Sequence, residues 1–260
     1  MADPQRIVVA GDWHGNIGWA QHVIGWAGVA LAGEDSPLIL HLGDFGIWPG
    51  AGGVLYLNAV IGALSAAGTK LWFIDGNHED FPQLARWGPD GRRPGADDHP
   101  EWARIRWLLR GHRWTWHGRT WLACGGGVSL DKAARAEGRD WWPEEEITAE
   151  QEAAVIAGGH ADVLVSHDWP SGVVHAYPPA PSWWDRADLH RSDWHQKRLQ
   201  RIVGAVRPRH IMHGHLHRSY QRTCDFGYGP VEVTGLDCDG GKGANWAVLN
   251  VETMTWETSG

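Results

Sequence analysis

Lysine is nearly missing from this chain of 260 residues: Lys70, Lys132, Lys197 and Lys242 are the only four. Lys and Arg together number 23 against 31 Asp and Glu, so the formal net charge is -8 at pH 7. A soluble acidic chain of this kind excludes a broad basic footprint for DNA or RNA. An anionic substrate would need positive charge from elsewhere, and bound divalent cations are such a source. Cysteine is scarce as well. Cys124, Cys224 and Cys238 are odd in number and lack paired spacing, which excludes a disulfide framework and fits a reducing compartment. No charged-then-apolar leader precedes Arg6, and no apolar stretch approaches the length of a membrane span. The expected setting is cytoplasmic, with no membrane partner.

Phenylalanine and tyrosine number four each, whereas tryptophan numbers 19. Packing, with a biased composition, is the expected role of the tryptophans; the alternative is an aromatic platform on which nucleobases stack. At 43% hydrophobic content the chain can bury a full core. One domain over residues 1–260 is the default at this length.

Three strand–loop–helix cycles open the chain. Arg6 to Ala10 is a short apolar run ended by Gly11-Asp12 and followed by helical spacing from Ile17 to Leu31. Pro37 to Leu42 closes on Gly43-Asp44, then a Gly/Pro-rich turn (Pro49 to Gly53) leads to a helix from Val54 to Ala67. Lys70 to Ile74 leads to Asp75-Gly76-Asn77. Such alternation predicts parallel βαβ units, whose ligands collect beyond the carboxyl ends of the strands.

Further along, Ile105 to Leu109 and Arg119 to Cys124 read as strands around a turn at His117-Gly118, after an exposed loop over 88–100. Thr148 and Gln151 form a capping box for a helix to Ala157. Val163 to Ser166 is a buried-type strand ending on His167. Residues 168–191, with Pro170, Pro178, Pro179, Pro181 and Trp183-Trp184, read as a long loop near the site, after which Ser192 caps a helix from Asp193 to Val206. Arg209 to Met212 is the next strand. The four alternating segments from Tyr220 onward predict a second, antiparallel sheet packed on the first.

Five polar motifs stand in order after these strands: Gly11-Asp12-Trp13-His14-Gly15-Asn16, Gly43-Asp44, Gly76-Asn77-His78-Glu79, Ser166-His167 and His213-Gly214-His215-Leu216-His217. Asp12, His14, Asp44, Asn77, His167, His215 and His217 are seven side chains of metal-ligand type. Carboxylates, an amide oxygen and imidazoles suit Mn, Fe, Zn, Co or Ni, and are poor for Ca or a thiolate-bound structural zinc. Seven groups exceed the need of one tetrahedral ion; two ions sharing one carboxylate would receive about four protein contacts each. Taken singly, Gly-Asp or Asn-His after a strand is turn chemistry. His213, two residues from His215, reads as a ligand, a partner of a ligand or simply a strand residue, with the last two preferred. His22, His41, His99, His112 and His160 have no ligand-like spacing and are expected to be exposed or hydrogen-bonded in place. Gly125-Gly126-Gly127 lacks the P-loop lysine and spacing and reads as a tight turn.

Over residues 6–217 these motifs resemble the calcineurin-like metallophosphoesterases, whose pattern is D-x-H, G-D, G-N-H-(D/E), an isolated His and G-H-x-H. The resemblance implies an α/β fold of two packed mixed β-sheets flanked by helices. It implies two divalent transition-metal ions, Mn first: Asp12, His14 and His217 on one, Asn77, His167 and His215 on the other, with Asp44 shared. His78 matches the histidine that contacts phosphate and helps the leaving oxygen depart. The implied reaction is hydrolysis of a phosphate ester by in-line attack of a metal-bridging hydroxide.

The middle motif departs from the protein-phosphatase and dinucleoside-tetraphosphatase branch, which continues G-D-x-x-D-R-G. Here Gly43-Asp44-Phe45-Gly46-Ile47-Trp48-Pro49 supplies neither the orienting aspartate nor the clamping arginine. Glu79 or Asp80 is the substitute candidate for orienting His78. Lys132, Arg135 and Arg139 are candidates for gripping phosphate, against a plain reading as a solvated charged face. The expected substrate is a phosphodiester or nucleotide, nucleic acid included. Competing readings are a protein serine/threonine or dinucleoside polyphosphate phosphatase, a non-catalytic scaffold, and a single-stranded nucleic-acid binder, which net acidity opposes.

Overall fold

The structure, a computed structural model, describes residues 3–173 and 184–259. Of the loop expected near the site, Pro178, Pro179, Pro181 and Trp183 lie outside the described residues. The first half of the chain runs β1 (Arg6–Ala10), α1 (Ile17–Ala30), β2 (Leu38–His41), α2 (Gly50–Ala67), β3 (Lys70–Phe73), the short α3 (Phe81–Leu84) and β4 (Ile105–Trp107). It continues with β5 (Arg113–Trp116), β6 (Arg119–Cys124), α4 (Ala149–Ala157), β7 (Val163–Ser166), α5 (Arg186–Val206) and β8 (His210–His213). Four strands close it: β9 (Tyr220–Asp225), β10 (Pro230–Gly235), β11 (Trp246–Asn250) and β12 (Thr255–Ser259).

Two mixed six-stranded sheets result, in the orders β12-β11-β1-β2-β3-β4 and β5-β6-β7-β8-β10-β9. Strands β1 to β4 are parallel, as are β6, β7, β8 and β10; β11, β12, β5 and β9 add antiparallel edges. Period-two alternation along each strand sorts the core into layers. Ile7 and Val9 of β1 meet Trp121, Ala123, Val163 and Val165 between the sheets. Val8 and Ala10 pack outward with Ala20, Val23, Tyr56, Leu57 and Val60 of α1 and α2. On the far side Leu122, Leu164 and Ile211 pack under Val155 of α4 and Leu199, Ile202 and Val203 of α5.

Several elements differ from the sequence reading. Ile105 does not pair across the His117-Gly118 turn; β4 joins β3 in the first sheet, and the hairpin partner of β6 is β5. The four C-terminal strands divide between the sheets, with β10 parallel to β8 and β11 antiparallel to β1. Which apolar strand pairs with which is decided by packing across the sheets, which alternation does not encode. Helix α2 starts at Gly50 with Pro49 as its N-cap, so the Gly/Pro-rich stretch is its first turn. Its 18 residues, at mean hydropathy 1.5, reach the length and apolarity of a span that the sequence was expected to lack. Asp185, not Ser192, caps α5, accepting from the Ala187 N–H, so the helix starts seven residues before the expected Asp193. The capping box at Thr148 and Gln151 is present.

Most described tryptophans are packing groups. Trp72 stacks on Trp116 with ring centroids 5.5 Å apart, and Trp114 on Trp121 at 5.7 Å. Trp48 and Trp194 are the exposed ones among the described residues.

Candidate metal centre

All five motifs follow the carboxyl ends of β1, β2, β3, β7 and β8, so their side chains converge on one edge where the two sheets meet. The donor atoms of Asp12, His14, Asp44 and His217 lie within 4.8 Å of one another, and so do those of Asp44, His167 and His215. Asp44 is common to both groups. One of its oxygens, Oδ2, is 3.3 Å from His14 Nε2, while Oδ1 is 3.5 Å from His167 Nε2. Asn77 joins the second group through Oδ1, 3.0 Å from His167 Nε2. Asp12 Oδ1 is 3.5 Å from His217 Nε2.

The backbone bends to achieve this. Asp12, His14, Asp44, His215 and His217 all have φ between 46° and 60°, a left-handed conformation uncommon for residues with a Cβ. They are five of the eight such non-glycine residues among the described residues, and strain of this kind concentrates at functional sites. Two motif glycines allow the close approach. A Cβ on Gly76 would stand 2.0 Å from Asp44 Oδ1, and one on Gly214 would stand 2.1 Å from Asp12 Oδ2.

Outer hydrogen bonds fix the imidazoles. His14 Nδ1 meets Asp239 Oδ1 at 2.8 Å and His167 Nδ1 donates to the Leu42 carbonyl at 2.8 Å, leaving each Nε2 facing the cluster. Burial alone would lower the His14 pKa, but Asp239 and Asp44 raise it to about 11. Burial likewise opposes charge on His167 and His217, yet Asp44 carries His167 to about 9 and Asp12 carries His217 to about 10. His215 goes the other way, to about 4, through burial and the neighbouring His167, against the pull of Asp168. Burial also works against ionising Asp12 and Asp44, but the surrounding histidines hold both carboxyls below their usual range. Two buried carboxylates facing these imidazoles make a cluster suited to positive charge, and the mixed oxygen and nitrogen donors fit divalent transition metals.

His78 lies beside this cluster. Its N–H donates to Asp44 Oδ1 at 2.9 Å, and its ring Nε2 stands 4.0 Å from Asp44 Oδ2. Burial lowers its pKa, with Asp44 opposing and Arg135 adding to the fall. Neither suggested carboxylate orients the ring. Glu79 is fully buried and accepts the N–H groups of Phe45, Gly46 and Ile47, bracing the loop after Asp44, and burial raises it to about 8. Asp80 caps α3 through the Gln83 N–H. Of the three candidate cations, Lys132 lies over the Trp141 ring and Arg139 projects outward beside Asp140, whereas Arg135 reaches His78.

His213 engages Tyr220 through Nε2 and faces the Gly214 carbonyl through Nδ1. It shapes the turn and does not point a free nitrogen at the cluster. His41 differs from expectation: it is fully buried against Trp13 and Phe45, and burial takes its pKa down to about 3. Gly125-Gly126-Gly127 is a close-packed turn, with Gly126 N–H bonded to the Asp75 carbonyl.

Asp239 is the residue that sequence reasoning missed. It binds His14 and, through Oδ2, the Asn16 amide at 2.8 Å. Asn245 is another; its amide ties the Gly11 carbonyl to that of Asp237. Asp239 and Asn245 sit more than 220 positions from Asn16 and Gly11, in a stretch with no strand or helix signal. Asp239→Ala is expected to weaken metal binding about 10–100-fold, the usual effect of removing a carboxylate behind a ligating histidine. Manganese titration checks this; an unchanged dissociation constant would show that His14 needs no such support.

A two-sheet α/β sandwich with a shared-carboxylate donor cluster at its edge is thus the setting of a candidate metal site. Residues 5–219 match the family described as calcineurin-like phosphoesterase, and the chain belongs to that family. Membership implies a hydrolase acting on phosphoester bonds. No curated protein matches the chain. Among solved structures it is similar to TT1561 of Thermus thermophilus, with TM-score 0.57 and 14% identity over 99% of this chain and 98% of that one. That likeness supports the fold. A fainter one, TM-score 0.41 and 12% identity over 90% of this chain and 71% of the other, is to GAP50, the anchor in the inner membrane complex of Plasmodium.

Proposed function

We propose that this protein hydrolyses a phosphodiester or nucleotide-type phosphoester with two divalent transition-metal ions, manganese first. Asp12, His14 and His217 would hold one ion, Asn77, His167 and His215 the other, and Asp44 both. When bound, such a pair supplies a nucleophilic water near neutral pH and neutralises charge on the phosphoryl oxygens. The observation that carries the reading is Asp44, whose two carboxylate oxygens face separate imidazoles at 3.3 and 3.5 Å.

The chain's own groups do the rest. Asp239 and the Leu42 carbonyl keep His14 and His167 oriented. His78 places Nε2 at the rim of the cluster, 4.0 Å from Asp44 Oδ2, and would serve as the acid for the leaving oxygen once Nε2 takes up a proton. Trp48 supports the choice of an aromatic substrate. Its Nε1 donates to the His78 carbonyl at 3.2 Å, its ring lies against Gly15, and 39% of the residue is exposed. An indole so placed beside the catalytic histidine offers a face for a nucleobase. The three cysteines are free thiols, which supports a reducing, cytoplasmic setting.

The test is hydrolysis by metal-quantified protein of p-nitrophenyl phosphate, bis-p-nitrophenyl phosphate, cyclic nucleotides and dinucleotides. Turnover highest on diesters or nucleotides is expected, with Trp48→Ala raising KM for nucleotides roughly 5–100-fold, the scale of one lost stacking contact. No turnover of any phosphoester by protein carrying two metals would remove the reading.

A further inference from the structure

We infer that Arg135 is the phosphate-gripping residue of this site, delivered by the segment between β6 and α4 and aimed at the oxygen that His78 meets. This rests on the phosphoester reading above and names the residue that holds its substrate.

A guanidinium has five N–H donors in a rigid fork. In Arg135 three are committed. Nε and Nη2 donate to Asp131 Oδ2 at 2.8 and 2.7 Å, and Nη1 donates to the Asp140 carbonyl at 3.1 Å. The second Nη2 N–H points at His78 Nε2 across 3.5 Å, and one N–H on Nη1 is left over. The same His78 nitrogen is 3.0 Å from Asn77 Nδ2 and 4.0 Å from Asp44 Oδ2. In this arrangement His78 Nε2 accepts from these donors, so a phosphoryl oxygen that takes its place before the Arg135 fork and the Asn77 amide is within reach of both, and of His78 once Nε2 carries a proton.

The fork is preorganised. Asp131 and the Asp140 carbonyl hold it before any substrate arrives, which reduces the entropy of ordering a long side chain on binding. The Asp140 carboxylate in turn accepts from the Ala136 N–H at 2.5 Å, closing the turn that carries Arg135. Nearby cations are otherwise engaged. Arg110 spends its donors on Asp75, Gln151 and the carbonyls of Glu144, Glu145 and Glu146. Arg191 pairs with Glu145, Glu146 and Asp188. Pairing with one carboxylate does not cancel the use of Arg135, since planar guanidinium groups bind phosphate through whichever edge is left free.

The alternative is that Arg135 only staples its own loop. The two roles differ in what they do to anion binding. Inorganic phosphate is titrated calorimetrically into metal-quantified wild type, Arg135→Ala and Arg135→Lys, with kcat and KM measured on bis-p-nitrophenyl phosphate. Arg135→Ala is expected to keep its metals, weaken phosphate binding at least about 10-fold and lower kcat/KM about 10²–10³-fold, the range for losing a charge-stabilising donor. Arg135→Lys, which keeps the charge on the same stem and disturbs the loop less, is expected to recover part of both. Wild-type phosphate affinity in Arg135→Ala, or phosphate that fails to bind the wild type, would overturn the inference. An inactive wild type whose phosphate binding still depends on Arg135 would leave the anion site standing and remove the hydrolytic reading.

Discussion

Asp44→Asn is expected to lower kcat by about 10³-fold or more and to reduce the bound metal from two ions to one or fewer, since a single charge-stabilising donor is already worth on the order of 10²–10³ in rate. The substitution keeps size and one oxygen but removes the negative charge that two donor groups share. It would also turn an amide NH2 toward either His14 or His167, each of whose Nε2 now faces an oxygen at 3.3 to 3.5 Å. In the proposed two-ion arrangement both ions would depend on this one carboxylate, so the loss should exceed that of a single donor. Metal content by elemental analysis and turnover in excess manganese are measured on the same sample. Two retained ions with wild-type turnover would show that Asp44 is not shared.

His78→Ala is expected to leave both metals in place and lower kcat by about 10²–10⁴-fold, the range for a general acid. His78 is not needed to hold an ion: its ring faces Asn77 and Arg135, and its Nδ1 is buried without a hydrogen-bond partner. The loss should depend on the leaving group. A p-nitrophenolate departs without a proton, whereas a sugar alkoxide needs one, so the deficit should be larger on a dinucleotide than on bis-p-nitrophenyl phosphate. An equal deficit on both would make His78 a hydrogen-bond donor to phosphate and not the proton source.

Much of the site is legible in the sequence alone. The ligand-type residues stand out because each follows an apolar run of four or five residues at a strand end, and the parallel βαβ rule sends all such ends to one side. The capping box at Thr148 is local chemistry and reads directly. What escapes is non-local. Asp239 reaches His14 across 225 positions, and nothing around it marks it as different from any other turn aspartate. Glu79 looks like a partner for His78 because it is adjacent in sequence, but successive side chains diverge and its carboxylate turns instead to three N–H groups of the Asp44 loop. The sheet partition fails for the same reason. Ile105 in β4 and Trp114 in β5 are similar apolar strands, and only their fit against β3 and β6 assigns them to different sheets.

Tryptophan shows how one residue type divides. Trp121 is fully buried between the sheets and Trp116 nearly so, whereas Trp48 keeps an exposed face next to His78. Sequence alone offers no distinction between them. The difference arises because Trp48 follows the loop braced by Glu79 and is trapped between Gly15 and the start of α2, where a Cβ on Gly53 would collide with the Trp48 carbonyl at 1.7 Å.

Calorimetric titration of chelator-stripped wild-type protein with manganese decides whether two ions assemble around Asp44. Against burial, the carboxylates of Asp239, Asp44 and Asp12 raise the pKa of His14, His167 and His217, so metal binding is expected to release protons, visible as a dependence of the heat on buffer. Two ions per chain with proton release is the predicted result; one ion or none, with heats independent of the buffer, would contradict it.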